Sequence, residues 1–413
     1  MRSISLESGR ALDEIETAEP GPLASVTPLR IGARAPGADW EALSMECEAQ
    51  TAYGVQFCDS LLGPGSTAVE EAVGDRRAIL VTTPTVDRLW GAGMRAALAK
   101  TDTVAYLVLD VREETKSIDL VEKVCAAALS HGLSRRGLLI AFGGGVCSDI
   151  VTMAASLTRR GIAHLRVPTT LIGQIDAGIG LKGAVNFCGR KSFLGCYHPA
   201  ERVLIDPSFL TSLPRKFLVA GIAEAVKMGV VRDASLFEML ERWAPALVRT
   251  GFDEPRAEGR EVLRRSIWAM FEELRQNPYE DQTYERLVDF GHTFSPALES
   301  ALAFGIQHGE AVAIDIALSS AIARTLGIIP ADLCERILGA LRGASLPIFA
   351  PRLDLKLCRE GLVEAARHRG GTMNLVVPAG IGRAVFLKQQ ADVPDGVLAD
   401  SLASLAGSAE EAA

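Results

Sequence analysis

The sequence predicts two structural halves: an α/β half with a mostly parallel sheet, then a mainly α-helical half. Three observations carry this prediction. From about residue 76 to 206, short apolar runs alternate with amphipathic segments, as in strands joined by crossover helices. From Pro207 to about Pro347 the period is helical. Strand-like runs return only at Leu375-Val376-Val377 and Ala384-Val385-Phe386-Leu387. The 413 residues, 48% of them hydrophobic, suffice for two or three domains with large cores.

Taken in order, residues 1–50 hold Pro20, Gly21, Pro22, Pro28, Pro36 and Gly37 with little periodicity, and read as an extension. The α/β domain is placed at 51–206. Ala78 to Thr82 is a buried strand, Asp87 to Ala99 a helix, Val104 to Leu109 a strand and Ile118 to His131 a helix. Leu138 to Phe142 is a third strand, which runs into Gly143-Gly144-Gly145, with a helix from about Asp149. The helical domain is placed at 207–400, with helices at 215–231, 234–248, 258–275, 296–303, 309–326 and 331–342. Residues 401–413, rich in Ala, Ser and Glu, read as a flexible tail.

Composition excludes some functions. A net charge of −8 argues against a nucleic-acid partner bound through its phosphates. Eight cysteines without a CxxC pair read as reduced thiols, which places the protein in the cytoplasm. Cys147, Cys188 and Cys196 are expected to pack. Met1 to Pro20 lacks an apolar run, so no signal peptide is expected. Charge interrupts the longest apolar runs, so no membrane span is expected either.

Several stretches carry chemistry. His292 and His308 lie 16 residues apart, each beside a glycine and at a helix entrance. Glu224 and Lys227 are the polar residues of an apolar helical run. Two His and one Glu make an open zinc site, or they cap helices and fill a core. Gly143 to Asp149, between a strand and a helix, suits a dinucleotide pyrophosphate or simply makes a tight turn. Arg166 to Leu171 ends a strand with hydroxyls where ligands sit in open α/β sheets. Asp176, Lys182, Asn186, Arg190 and Lys191 stand in a glycine-rich segment, 173–195, read as a loop that binds phosphate or faces solvent. Arg367-His368-Arg369 precedes a strand and covers an anion or faces solvent.

The order FGGGVxxD, RVPTTLIGQIDAGIGLK, GxAEAVKxG, DFGHTFSPALE and HGEAVAID resembles the sugar phosphate cyclases, of which 3-dehydroquinate synthase is the best-known member. The resemblance spans about residues 76 to 390. It implies a two-domain homodimer that binds NAD in the α/β domain and zinc or cobalt in the helical one. It implies recycled NAD: a hydroxyl is oxidised, phosphate leaves, the ketone is reduced, and an intramolecular aldol step closes a carbocycle. Carried onto this chain, the metal ligands are Glu224, His292 and His308. The cofactor residues are Gly143, Gly144, Gly145, Asp149, Glu113, Lys116, Thr169, Thr170, Lys182 and Lys191, with Phe209 and Ser212 close by. The substrate and its phosphate meet Asp176, Lys182, Lys227, Arg160 and Asp289.

The departures narrow the substrate. Where dehydroquinate synthases read GHTFGH, Pro296 replaces the second His. Asp289 replaces an Asn, and Glu285 an Arg that helps bind a carboxylate. These changes argue for the branch that cyclises sedoheptulose 7-phosphate, with 2-epi-5-epi-valiolone as the first expected product. Valiolone and desmethyl-4-deoxygadusol are the next alternatives, then dehydroquinate. A metal-dependent polyol dehydrogenase of related architecture is the remaining one. Ser192 in place of an Asn, and Asn277 to Glu280, leave the product stereochemistry open.

Overall fold

The computed structural model describes residues 31–32, 46–47, 51–303 and 305–410. Most of the expected extension, and Phe304, lie outside them. Ile31–Gly32 (β1) pairs antiparallel with Glu46–Cys47 (β2).

From Tyr53 onward the chain forms one compact unit. Its sheet has six strands: Gly54–Phe57 (β3), Ala78–Thr82 (β4), Thr103–Val108 (β5), Leu138–Gly143 (β6), Ala163–Pro168 (β7) and Arg202–Ile205 (β10). The order is β3-β10-β7-β6-β4-β5, and every pair is parallel. Both faces are covered, which is why β4 and β6 read as unbroken apolar runs. Ile79, Val81, Leu139 and Ala141 pack with helices Ile118–Ser130 (α3) and Gly145–Leu157 (α4). Their neighbours Ala78, Leu80, Leu138 and Ile140 face the other way, toward Ala68–Val73 (α1) and Pro84–Ala97 (α2).

The expected loop at 173–195 is corrected. Gly173–Ala177 is a π-helical turn, and Lys182–Phe187 (β8) and Arg190–Tyr197 (β9) form an antiparallel hairpin. Alternation was present in β8, where Gly183 and Val185 are buried and Lys182 and Phe187 exposed. The glycines hid it. A buried side chain anchors the segment. The Arg166 guanidinium, on β7, donates to the carbonyls of Gly178 (3.1 Å), Gly180 (2.5 Å) and Lys182 (3.2 Å), and to Thr152 Oγ1 (2.8 Å). Helix α4 also begins at Gly145 rather than near Asp149, with Gly144 as its N-cap and Gly143 ending β6.

The helical half comprises Arg215–Val231 (α5), Ala234–Thr250 (α6), Arg256–Gln276 (α7), Ser295–Ala301 (α8), His308–Thr325 (α9), Ala331–Gly343 (α10) and Leu355–His368 (α11). The hairpin Leu375–Gly380 (β11) and Arg383–Leu387 (β12) follows, then Asp395–Glu410 (α12). Helices α5 and α9 form the centre. Every residue from Leu218 to Val231, and from Ala311 to Ala323, is buried. A Cβ on Gly309 would lie 2.2 Å from the Ala220 carbonyl oxygen, so only glycine lets α9 start against α5. The flexible tail is corrected as well: 401–410 belong to α12, whose Ser401 and Leu405 are buried. Its small residues suit close packing, not only disorder. Among the described residues, no helix is long and apolar enough to cross a membrane.

Arg166→Met removes the buried charged donor to the carbonyls of Gly178, Gly180 and Lys182. The expected cost is about 3 kcal/mol of unfolding free energy, read as a lower urea midpoint with an unchanged m-value.

A candidate metal and dinucleotide site

From Leu218 onward helix α5 has no exposed face, yet it carries Glu224 and Lys227 one turn apart. Lys227 Nζ lies 2.6 Å from Glu224 Oε2. Glu224 Oε1 faces His308 Nε2 at 3.3 Å and His292 Nε2 at 3.7 Å. One ligand atom from each of Glu224, His292 and His308 lies within 4.8 Å of the others. Glu224 accepts no hydrogen bond of good geometry at either oxygen. A buried carboxylate facing two imidazole nitrogens in this way suits a divalent cation.

Each imidazole is turned by its other nitrogen. His292 Nδ1 is 3.2 Å from the Phe290 carbonyl, and His308 Nδ1 is 2.9 Å from Glu299 Oε1. Both Nε2 atoms are thereby left to the cluster. Glu299 Oε2 also meets Lys191 Nζ at 2.8 Å. The turn that carries His292 is held from α9. Asp315 Oδ2 accepts from the backbone N–H groups of Thr293 (2.8 Å), Phe294 (2.5 Å) and Ser295 (2.9 Å).

The charges follow from these contacts. Burial opposes the charge of Glu224, but Lys227, His292 and His308 outweigh it and hold the carboxyl well below its usual range. Burial likewise opposes the Lys227 ammonium, which Glu224 and Asp176 keep raised. Burial and the nearby ammonium push His292 down to about 4, so it is a neutral donor at pH 7. His308 is buried too, yet its carboxylate partners Glu224 and Glu299 push it up to about 9. Burial raises Asp176, with Lys227 opposing.

Several of the expected cofactor residues gather around the start of α4. Gly143 ends β6 and α4 starts two residues later, so first-turn N–H groups point outward. A Cβ on Gly144 would come within 3.0 Å of Thr170 Cγ2. The bare backbone beside Thr170 fits the close approach of a pyrophosphate. The Thr169 N–H donates to the Gly143 carbonyl (2.9 Å) and fixes the turn to β7. Lys116 is buried, 2.5 Å from Asp149 Oδ2 and 4.0 Å from Glu113 Oε2, and it donates to Ser192 Oγ at 3.4 Å. Ser212 Oγ accepts from Trp90 Nε1 at 3.1 Å.

Some expected residues fall elsewhere. Phe209 is 1% exposed and packs edge-on against Trp90 and Phe142, as core beneath the glycine turn. Lys191 points to Glu299, on the metal side. Arg160 is exposed just beyond the C-terminal end of α4, with φ +69°, opposite the helix end that carries the glycine turn. Its own chain does not bring it to the site, because α4 leads away from the glycine turn. Arg367 and His368 pair with Glu364 near the surface, whereas Arg369 is buried against Asp289.

A cavity of about 650 Å³ adjoins the cluster, lined by Asp176, Lys182, Lys227, Asp289, His292 and Pro296 among others. Sequence reasoning missed Glu299, Asp315 and the part played by Arg286, and it left Arg369 between covering an anion and facing solvent. Asp315 had a signal: a lone carboxylate in the apolar run Ala311 to Leu318 must find partners. Glu299 had a weaker one, an acid on the buried side of α8.

Models of the 3-dehydroquinate synthase N-terminal and C-terminal domains match residues 106–220 and 221–366. The chain is 42% identical over 360 residues to a 2-epi-5-epi-valiolone synthase of Streptomyces glaucescens, covering 86% of this chain and 92% of that protein. It is 32% identical over 366 residues to a 3-dehydroquinate synthase of a Synechococcus strain, covering 86% and 97%. It is also similar to the solved structure of ValA, a 2-epi-5-epi-valiolone synthase from Streptomyces hygroscopicus subsp. jinggangensis 5008 with NAD+ and Zn2+ bound. That likeness has a TM-score of 0.82 at 39% identity, and covers 89% of this chain and 100% of that one.

Glu299→Gln should weaken zinc retention about 10- to 100-fold, measured by metal competition, with the fold intact. Proton and cation compete for His308 Nε2. Its folded pKa of about 9 therefore makes zinc affinity climb as pH rises from 6 toward 9.

Proposed function

The chain belongs to the 3-dehydroquinate synthase family of sugar phosphate cyclases, and from that premise we propose that it converts sedoheptulose 7-phosphate to 2-epi-5-epi-valiolone. In this reading it is a carbon–oxygen lyase acting on a phosphate ester, with NAD and one zinc or cobalt ion as cofactors. The observation that carries the substrate choice is the cavity wall. Asp289 stands there between Arg286 (2.5 Å) and Arg369 (3.2 Å), and Glu280 contacts Arg286 as well, so that together they leave neither guanidinium free to clamp a carboxylate. A ketose whose only anion is its phosphate fits that wall better than a carboxylated sugar.

Glu224, His292 and His308 would hold the metal. Gly143 to Gly145, Thr170 and the Asp149–Lys116 pair would hold the dinucleotide. Bound NAD would take up and return a hydride, and the bound metal would polarise the hydroxyl undergoing oxidation. Lys227, kept charged by Glu224, donates to the same hydroxyl oxygen and stabilises negative charge there. Asp176 faces Lys227, and burial raises its affinity for a proton, which fits it to hold one as the hydroxyl ionises. Lys182, exposed on β8 at the cavity, attracts the phosphate. The walls keep the ring-closing conformer in place while the aldol bond forms.

The same proposal assigns cofactor binding to 51–206 and metal and substrate binding to 207–400. It includes a homodimer in the cytoplasm, on the strength of the family resemblance.

Phosphate release from sedoheptulose 7-phosphate, without net NADH, is the expected result; steady NADH without phosphate would contradict it. A chelator should abolish turnover, and zinc or cobalt should restore it. His292→Ala should lose metal and turnover while NAD binding, followed by fluorescence, persists; retained metal with lost NAD would refute the ligand assignment.

A further inference from the structure

The cavity wall beyond Asp289 carries a carboxylate that the mechanism does not use. Glu280 follows α7 in the segment that leads to the His292 turn. Its two oxygens are shared between the cations on either side. One contacts Lys182 Nζ, on β8, and the other contacts the Arg286 guanidinium. The Tyr197 hydroxyl, on β9, donates to that second oxygen at 3.1 Å. Glu280 is largely buried, and its φ of +56° is unusual for a residue with a Cβ. Its N–H donates to the Asn277 carbonyl at 3.1 Å, which closes the turn. A backbone held in this region points to an over-determined position, here one that brings a carboxylate between two cations.

The rest of the wall behaves alike. Arg286 is also paired with Asp289, Arg369 with Asp289, and Lys388 with Glu285. Six carboxylates and four Lys or Arg side chains line the cavity. An arriving anion therefore meets cations that are already neutralised, in a wall of net negative charge. Lys182 is the exposed exception, with its side chain 53% accessible. A phosphate can draw Lys182 away from Glu280 at little cost. Glu280 then keeps its other partner, Arg286, which is far less accessible at 21%.

We infer that Glu280 is a specificity-determining residue: it yields Lys182 to one incoming anion and keeps Arg286 covered against a second. The site then accepts a sugar whose single anion is phosphate and rejects one that adds a carboxylate. This inference rests on the proposed reaction and extends it to a residue outside the metal and cofactor sets. Rejection comes from a cation withheld, with no clash required.

Glu280→Gln keeps the shape and removes the charge. Binding of the carboxylated heptulosonate 7-phosphate, the dehydroquinate precursor, is measured by calorimetry on holoenzyme alongside binding of sedoheptulose 7-phosphate. The expected result is at least tenfold tighter binding of the carboxylated sugar, with a much smaller change for the neutral one. The gain should vanish in Glu280→Gln combined with Arg286→Gln. No gain in a Glu280→Gln protein that retains metal, NAD and its melting temperature would overturn the inference. Should Gln disturb folding, Glu280→Ala must show the same shift or the inference is equally overturned. Failure of the proposed reaction is seen separately, as wild-type enzyme that releases no phosphate from sedoheptulose 7-phosphate. That outcome leaves the comparison of binding constants intact.

Discussion

A carboxylate in the middle of a helical stretch with no exposed face has to be answered on every side. Glu224 is that group, and much of the helical half can be understood as the answer. Lys227 meets one oxygen from the next turn of α5. The other faces two imidazoles brought from separate elements. Bringing them there takes Gly309, which lets α9 begin against Ala220, and Asp315, which gathers three backbone N–H groups and fixes the turn before α8. The cost of isolated charge in a low dielectric is thus turned into placement. A cation at the cluster completes an arrangement that the protein side leaves open.

Much of this was legible in the chain. The strands β4 and β6 declared themselves because both faces of a parallel sheet are apolar, and helices α5 to α10 because their period is regular. The three residues of the cluster stood out as polar residues beside glycines or inside apolar runs. What could not be read was of two kinds. The hairpin β8–β9 was masked by glycines that serve the close packing of Gly183 on Thr152, so its alternation was taken for a loop. Glu299 was hidden, and Arg369 was left between an anion and solvent, because a charged side chain looks the same in sequence whether it faces water or a buried partner. Only the fold tells them apart, by bringing residue 191 to 299 or 369 to 289.

Arg160 illustrates a different limit. A motif can carry over a residue type by position, and the chain's own geometry can still take it elsewhere. Helix α4 starts at the glycine turn, and Arg160 follows its far end. The resemblance was right about the family and silent about the path of one helix.

The hairpin β8–β9 deserves a last consequence. Within sixteen residues it supplies Lys182 to Glu280, Lys191 to Glu299, Ser192 to Lys116 and Tyr197 to Glu280. One small ribbon, tied down by Arg166, thus touches the cavity wall, the metal side and the dinucleotide turn. For anyone re-engineering the protein, this makes the ribbon a poor place to introduce diversity, since each exchange perturbs several functions together. The segment from Asn277 to Arg286 touches the cavity alone among the three, and a library confined to it separates substrate choice from cofactor retention.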